Sequence, residues 1–251
     1  NLAAGDSYSS IENLLGSQGF DNLRGTIGDN YIFGDRNVDY IFGRRGDDRL
    51  DGGIGDDVLL GGVGADALIG WEHRDRAQYS ESLTAVLVDL ADSARNTSEA
   101  AGDTFSGIED LAGSAFTDAL FGDEQDNRLF GREGDDELTG RAGDDYLNGG
   151  ANNDWLDGGE GDDVLRGGTH ADTFVFRYGH DLVEDFSTSQ GDLMALDQSV
   201  LGLEGLTTRD VVLTFGSQQG DQVVFAFDDE TQLSLDNVTT LSGLEDSFLF
   251  I

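Results

Sequence analysis

Residues 43–69 read GRRGDDRLD, GGIGDDVLL, GGVGADALI, three consecutive nonads of one pattern, G-G-x-G-x-D-x-U-x, with U a large apolar residue. Glycines at places one, two and four of a nonad such as Gly52, Gly53 and Gly55 let the backbone turn tightly without a Cβ penalty. Place six (Asp48, Asp57, Asp66) supplies a hard anionic oxygen, and place eight (Leu50, Leu59, Leu68) sits within a strand of about three residues and points inward. One nonad therefore makes a loop and a strand, and two make one flattened turn.

Working outward, the period extends both ways. A first array runs from residue 16 to about residue 78, with Asp21, Asn30, Asp39, Asp48, Asp57, Asp66 and Asp75 at place six. Leu23, Ile32, Ile41, Leu50, Leu59, Leu68 and Ala77 fall at place eight. A second runs from residue 113 to about 184, with Asp118, Asn127, Asp136, Asp145, Asp154, Asp163, Asp172 and Asp181 at place six. Its place eight is Leu120, Leu129, Leu138, Leu147, Leu156, Leu165, Phe174 and Val183. The two are a tandem duplication. AAGDSYSSIENLLGS at Ala3–Ser17 is nearly repeated as AAGDTFSGIEDLAGS at Ala100–Ser114, an offset of 97 residues that carries Asp48 onto Asp145 and His73 onto His170. Residues 1–15 thus read as part of a connector, as if the first copy began part-way through, and residues 79–112 as a β-rich connector on the same solenoid with a polar loop at 93–103. Residues 185–251 have few Gly-Asp loops. Alternating segments at Val211–Phe215, Gln222–Phe227 and Gln232–Leu235 predict antiparallel strands that cap the solenoid's exposed edges.

Composition narrows the function. The formal charge is −37, from 51 acidic residues against 14 basic ones, all arginine. So much like charge repels nucleic acid and anionic membranes and attracts cations. There is no cysteine, hence no disulfide or thiolate metal site. No apolar run is long enough to span a bilayer, and no signal peptide opens the chain. Proline is also absent, which leaves every backbone N–H free to join a sheet ladder.

Aspartates 18 residues apart line one edge of such a roll. Asp21, Asp39, Asp57 and Asp75 should face one edge of the first array, with Asn30, Asp48 and Asp66 on the other. In the second, Asp118, Asp136, Asp154 and Asp172 oppose Asn127, Asp145, Asp163 and Asp181. An ion between two loops of one edge would take carboxylates from both and carbonyl oxygens from the glycine turns. Those turns include Gly43, Gly46, Gly52, Gly53, Gly55, Gly61, Gly62 and Gly64 in the first array. In the second they include Gly131, Gly134, Gly140, Gly143, Gly149, Gly158, Gly159 and Gly161. Six or seven such oxygens suit Ca²⁺ better than Mg²⁺. About eleven slots can be counted, of which about eight Ca²⁺ are expected to be well held. The loops with Asn30, Asn37, Asn127 and Asn152-Asn153 are the doubtful ones, and Asp89, in the connector, is a carboxylate outside the pattern.

The nonads, with the exit GTHADTFVF and YGHDLVEDF and the acidic-then-apolar end at residues 245–251, resemble the RTX (repeats-in-toxin) calcium-binding repeat family of type I secreted bacterial proteins. The resemblance implies an all-β fold: a right-handed parallel β-roll that loads calcium, with a C-terminal export signal read by the type I secretion apparatus. It implies a secreted or cell-surface module of a larger protein, folding once outside the cell. Two other roles stand beside this. One is a surface structural protein (adhesin, S-layer or filament subunit) that self-associates through calcium, and the other is an accessory module of a polysaccharide-modifying enzyme or protease.

No catalytic set stands out. The acids repeat too regularly for an acid–base pair, and His73, His170 and His180 lie in loops without an H-E-x-x-H spacing. There is no G-x-S-x-G, and a P-loop needs the lysine this chain lacks. The chain reads as non-enzymatic. Trp71 and Trp155 read as surface residues, Trp155 at an outward place seven.

Overall fold

The computed structural model describes residues 12–251, so the part of the N-terminal connector before Glu12 lies outside the described residues. The fold is a parallel β-solenoid, all-β but for one helix and short 3₁₀ turns. It divides into two compact units. One runs up to Tyr79 and takes in Ser93–Ile108, while the other holds Ser80–Asp92 and Glu109–Ile251.

Each unit is built from two parallel sheets. In the first, strands Asn13–Leu15, Tyr31–Arg36, Arg49–Ile54, Ala67–Glu72 and Thr104–Ser106 form one sheet in that order. Strands Asn22–Arg24, Tyr40–Arg45, Val58–Val63 and Arg76–Gln78 follow one another in the opposite sheet. Register is fixed by the period: Ile32 pairs with Leu50 and Leu50 with Leu68, so the place-eight side chains stack in a column. The second unit repeats this with Leu129, Leu147 and Leu165 on one sheet and Leu120, Leu138, Leu156 and Phe174 on the other. These side chains are buried and form the core. Burying a leucine contributes about 1.5–3 kcal/mol, so each turn adds an increment of hydrophobic stability without any one turn having a core of its own.

The strands are longer than the expected three residues. Most interior strands span six, from place seven to place three of the next nonad, as in Arg49–Ile54. Pairing skips place one, where the chain bends: Phe33 pairs with Asp51, and the next pair is Asp35 with Gly53.

The stretch 79–112 is shared between the units. Leu87–Asp89 pairs with Ala119–Phe121 in the second unit, while Thr104–Ser106 returns to the first and sets Phe105 beside Leu68. The C-terminal segment is only partly the expected antiparallel cap. Gly216–Gln219, Gln222–Ala226 and Gln232–Asp236 form an antiparallel meander, and the last of these lies parallel to His180–Val183. Val211–Phe215, expected as a strand, belongs instead to the helix Thr208–Phe215. Its reason is local: Thr207 accepts from the Asp210 N–H and the Asp210 side chain accepts from the Thr207 N–H, a reciprocal cap. Phe248–Phe250 adds a parallel strand beside Leu193–Leu196.

Candidate metal-binding loops

The aspartates fall on the edges that the 18-residue spacing predicts. Beyond the first turn of each array, each place-six carboxylate accepts, through Oδ1, the N–H of the place-six residue one turn earlier. On one edge of the first unit Asp39 serves Asp21, Asp57 serves Asp39 and Asp75 serves Asp57, at 2.7, 2.7 and 2.8 Å. On the other, Asp48 serves Asn30 and Asp66 serves Asp48, both at 2.7 Å. In the second unit Asp136, Asp154 and Asp172 continue from Asp118 at 2.8–3.0 Å, and Asp145, Asp163 and Asp181 from Asn127 at 2.7–3.1 Å.

Two members of these columns escaped the nonad reading. Asp103 accepts from the Asp66 N–H at 2.8 Å across 37 residues, and Asp192 from the Asp172 N–H at 3.1 Å across 20. An insertion hides both from an 18-residue period. Each nonetheless stands two residues before a buried or half-buried apolar side chain, Phe105 or Met194, which is the D-x-U signal.

The other carboxylate oxygen matters more. Oδ2 of Asp39, Asp48, Asp57, Asp66, Asp136, Asp145, Asp154, Asp163 and Asp172 is buried without a hydrogen-bond partner. Each lies against the place-one glycine of its own loop, where a Cβ would overlap it. The same space is approached from the loop one turn later by a carbonyl oxygen. A Cβ on Gly43 would lie 2.6 Å from the Gly61 carbonyl, one on Gly131 2.7 Å from that of Gly149, and one on Gly140 2.6 Å from that of Gly158. Gly34 and Gly52 stand in the same relation. Place one therefore requires glycine because the carboxylate of its own loop fills the space, joined at Gly34, Gly43, Gly131 and Gly140 by a carbonyl from the next turn. Gly70 is built alike around Asp75 and the Gly107 carbonyl.

Place two completes the picture. In all ten of these loops among the described residues it is left-handed, whether glycine or not. The residues are Asp35, Arg44, Gly53, Gly62 and Trp71 in the first unit, and Arg132, Arg141, Gly150, Gly159 and Gly168 in the second. Place-four glycines serve close stacking, since a Cβ on Gly46, Gly55, Gly64, Gly134, Gly143 or Gly161 would strike the backbone of the loop beneath. Asn37, His73, Asn152 and His170 take place four with φ of 68–88°, so the doubted loops at Asn37 and Asn152-Asn153 keep the shape of their neighbours. His73 and His170 are turn residues, whereas His180, read as a loop residue, begins the strand His180–Val183.

Burial drives these carboxyls toward the neutral form, and nearby acids add to it. Asp57, Asp66 and Asp163 are pushed up to about 6. Asp39, Asp48, Asp136 and Asp172 rise to about 7, and Asp145 and Asp154 to about 8. A cation held against them would reverse this.

Three expected ligands, Asp21, Asp118 and Asp181, fall elsewhere. The Asp21 Oδ2 accepts from the Ser17 N–H at 2.6 Å and hydroxyl at 2.9 Å, and the Asp118 Oδ2 from the Ser114 N–H at 2.5 Å and hydroxyl at 3.0 Å. In both, the Oδ2 that would face a metal is already satisfied by protein donors and does not fit one. Asp181 has Phe176 at place one, so no glycine opens a space beside it, and burial first and Asp163 second push it up to about 9. Asp89 is not an inert control, being fully buried in a two-pronged pair with Arg141 at 2.8 and 2.7 Å.

Among the described residues no three carboxylate or imidazole side chains converge on one point. The donor set is instead one carboxylate oxygen with backbone carbonyls, the hard oxygens that Ca²⁺ accepts in six- to eight-fold coordination. Asp39, Asp48, Asp57, Asp66, Asp136, Asp145, Asp154, Asp163 and Asp172 fit that ion.

A family model for the RTX calcium-binding nonapeptide repeat (four copies) matches residues 15–50, 37–68, 103–138, 112–147, 121–156 and 148–183. Together these windows cover more than half of the chain. No curated protein matches it. Among solved structures it is similar to the extracellular lipase LipA from Serratia marcescens, at 24% identity and a TM-score of 0.43. The likeness takes in 94% of this chain and 40% of the lipase.

Proposed function

The chain belongs to the RTX calcium-binding nonapeptide repeat family, and we propose that it is a non-catalytic module whose fold is completed by calcium at ten interior loops. One observation carries this reading: every loop with a left-handed place two has a place-six carboxylate with Oδ2 against the place-one glycine, and in nine of the ten that oxygen is buried without a partner.

Leaving a buried polar atom unsatisfied costs about 1–3 kcal/mol, and more for a charged one. Nine such oxygens weigh heavily against the 5–15 kcal/mol that holds an ordinary domain together. Calcium would supply compensating charge and accept the converging carboxylate and carbonyl oxygens. Binding is then folding free energy. The residues themselves arrange the donors: Oδ1 is fixed by the stacked N–H, Oδ2 is aimed inward, and place one is kept bare.

In this reading the module serves a larger polypeptide outside the cell. Extracellular calcium modules bind with Kd of about 10⁻⁴–10⁻³ M, so the chain stays unfolded where calcium is scarce, passes a type I apparatus, and folds on arrival. Among the described residues no helix is long and apolar enough to cross a membrane. Equilibrium dialysis in millimolar calcium is expected to find close to ten ions per chain. Asp154→Ala should remove at least one, while Asp221→Ala, in an exposed turn, removes none. A chain that binds no calcium, or an Asp154→Ala variant that binds as many ions as the unaltered chain, would overturn the reading.

A further inference from the structure

Four loops share the nonad spacing but not the interior geometry: 16–21, 25–30, 113–118 and 122–127. Their place-two residues, Ser17, Thr26, Ser114 and Asp123, are not left-handed. The place-two N–H turns inward and donates to the place-six oxygen instead. Ser17 reaches Asp21 at 2.6 Å, Thr26 reaches Asn30 at 2.6 Å, Ser114 reaches Asp118 at 2.5 Å and Asp123 reaches Asn127 at 2.8 Å. The peptide joining places one and two thus has opposite orientations in the two classes of loop.

We propose that the orientation of this peptide decides whether a loop takes a cation, and that the first turn of each array is closed by protein donors alone. The inference rests on the calcium reading of the interior loops. Three further observations support it. Side chains at place two reinforce the inward turn: the Ser17 and Ser114 hydroxyls donate to the same carboxylates at 2.9 and 3.0 Å, and the Thr26 hydroxyl to Asn30 at 3.3 Å. Place six has shed its charge in two of the four, at Asn30 and Asn127. Finally, the outward-turned carbonyl of place one meets an arginine from the next loop. Arg44 Nη1 donates to the Gly25 carbonyl and Arg132 Nη1 to that of Gly113, both at 3.5 Å. Arg141 Nη1 donates to the Gly122 carbonyl while its guanidinium grips Asp89. A guanidinium therefore supplies positive charge at the edge of three of these four loops.

The far end of each unit is closed in kind. The Tyr79 hydroxyl donates to Asp103 Oδ2 at 2.8 Å, and the Ser187 N–H to Asp192 Oδ2 at 2.8 Å. On the edge from Asp118 to Asp192, carboxylates with both oxygens bound to protein thus bracket Asp136, Asp154 and Asp172, each with a buried Oδ2 that has no hydrogen-bond partner. Loop 113–118 keeps the place-one glycine and the place-six carboxylate, yet Ser114 at place two takes the Asp118 Oδ2 that an interior loop leaves open.

The test is the calcium count per chain, by equilibrium dialysis at saturating calcium, with circular dichroism in calcium to show that each variant folds. Asn127→Ala is expected to bind as many ions as the unaltered chain, and Asp145→Ala, one turn later on the same edge, at least one fewer. The double substitution Asp123→Gly with Asn127→Asp, which restores the interior frame, is expected to gain one ion. An Asn127→Ala chain that loses an ion, or a folded double variant that gains none, would overturn the proposal. Where the double variant does not fold, Ser114→Gly read for a gained ion decides in its place. A chain that binds no calcium at all would instead defeat the underlying reading.

Discussion

Loop 122–127 and loop 140–145 stack one turn apart on one edge of the second unit, and they solve the same problem in opposite ways. Both feed a fully buried leucine into one core column, Leu129 from the first and Leu147 from the second, and those leucines pair in register. Yet Asn127 has its oxygen taken by the Asp123 N–H, while Asp145 keeps a buried oxygen without a partner. The lesson is that the apolar column and the edge are separable. The column is uniform along each array, and dependence on calcium enters only where the place-two peptide faces away from the carboxylate.

That separation can be broken in order of expected effect. The largest concerns protons. The interior carboxyls are raised from 3.8 to about 6–8, mainly by burial, so the metal-free fold binds more protons than the unfolded chain. Its stability is therefore full below about pH 4, falls as pH rises through the window from about 4 to 8, and is lost above it. In excess chelator, lowering pH from 8 to 5 should bring back β-structure seen by far-UV circular dichroism. No gain on acidification would mean that interior charge is not what opposes folding.

Next comes the column. In saturating calcium Leu129→Ala and Leu147→Ala should each cost about 2–5 kcal/mol by chemical denaturation, and by similar amounts. Costs that differ widely would show that the two kinds of loop do not share one core.

The arginines give a finer contrast. Arg141→Ala removes the guanidinium from a fully buried Asp89, which keeps the Ala91 and Asp92 N–H groups, and should cost about 3 kcal/mol. Arg132→Ala removes one long bond and should cost under about 1 kcal/mol. Equal losses would make the Asp89 pair irrelevant. Smallest is Thr207→Ala, which removes the helix cap outside both arrays and should lower thermal stability by about 1 kcal/mol without moving the calcium midpoint.

Much of this was legible from residue spacing alone. Period nine fixed the column, and period 18 fixed the edges on which Asp39, Asp48, Asp136 and Asp145 stand, because a strand-and-loop repeat leaves no freedom in register. What spacing could not convey was peptide orientation. Arg44 and Ser17 are both departures from glycine at place two, but one is left-handed and the other turns its N–H inward. Asp103 and Asp192 were hidden by insertions, which alter sequence distance without altering the stack. Val211 and Val212 look like a strand by side-chain type, and only the Thr207–Asp210 cap tips them into a helix. Asp89 looked like a bystander because its partner Arg141 is 52 residues away.

The most direct test of the central claim is far-UV circular dichroism at neutral pH, with the chain in excess EGTA and again in millimolar calcium. The account predicts an unfolded spectrum in EGTA and a strong β-signal once calcium is restored. The same β-signal in both would contradict it.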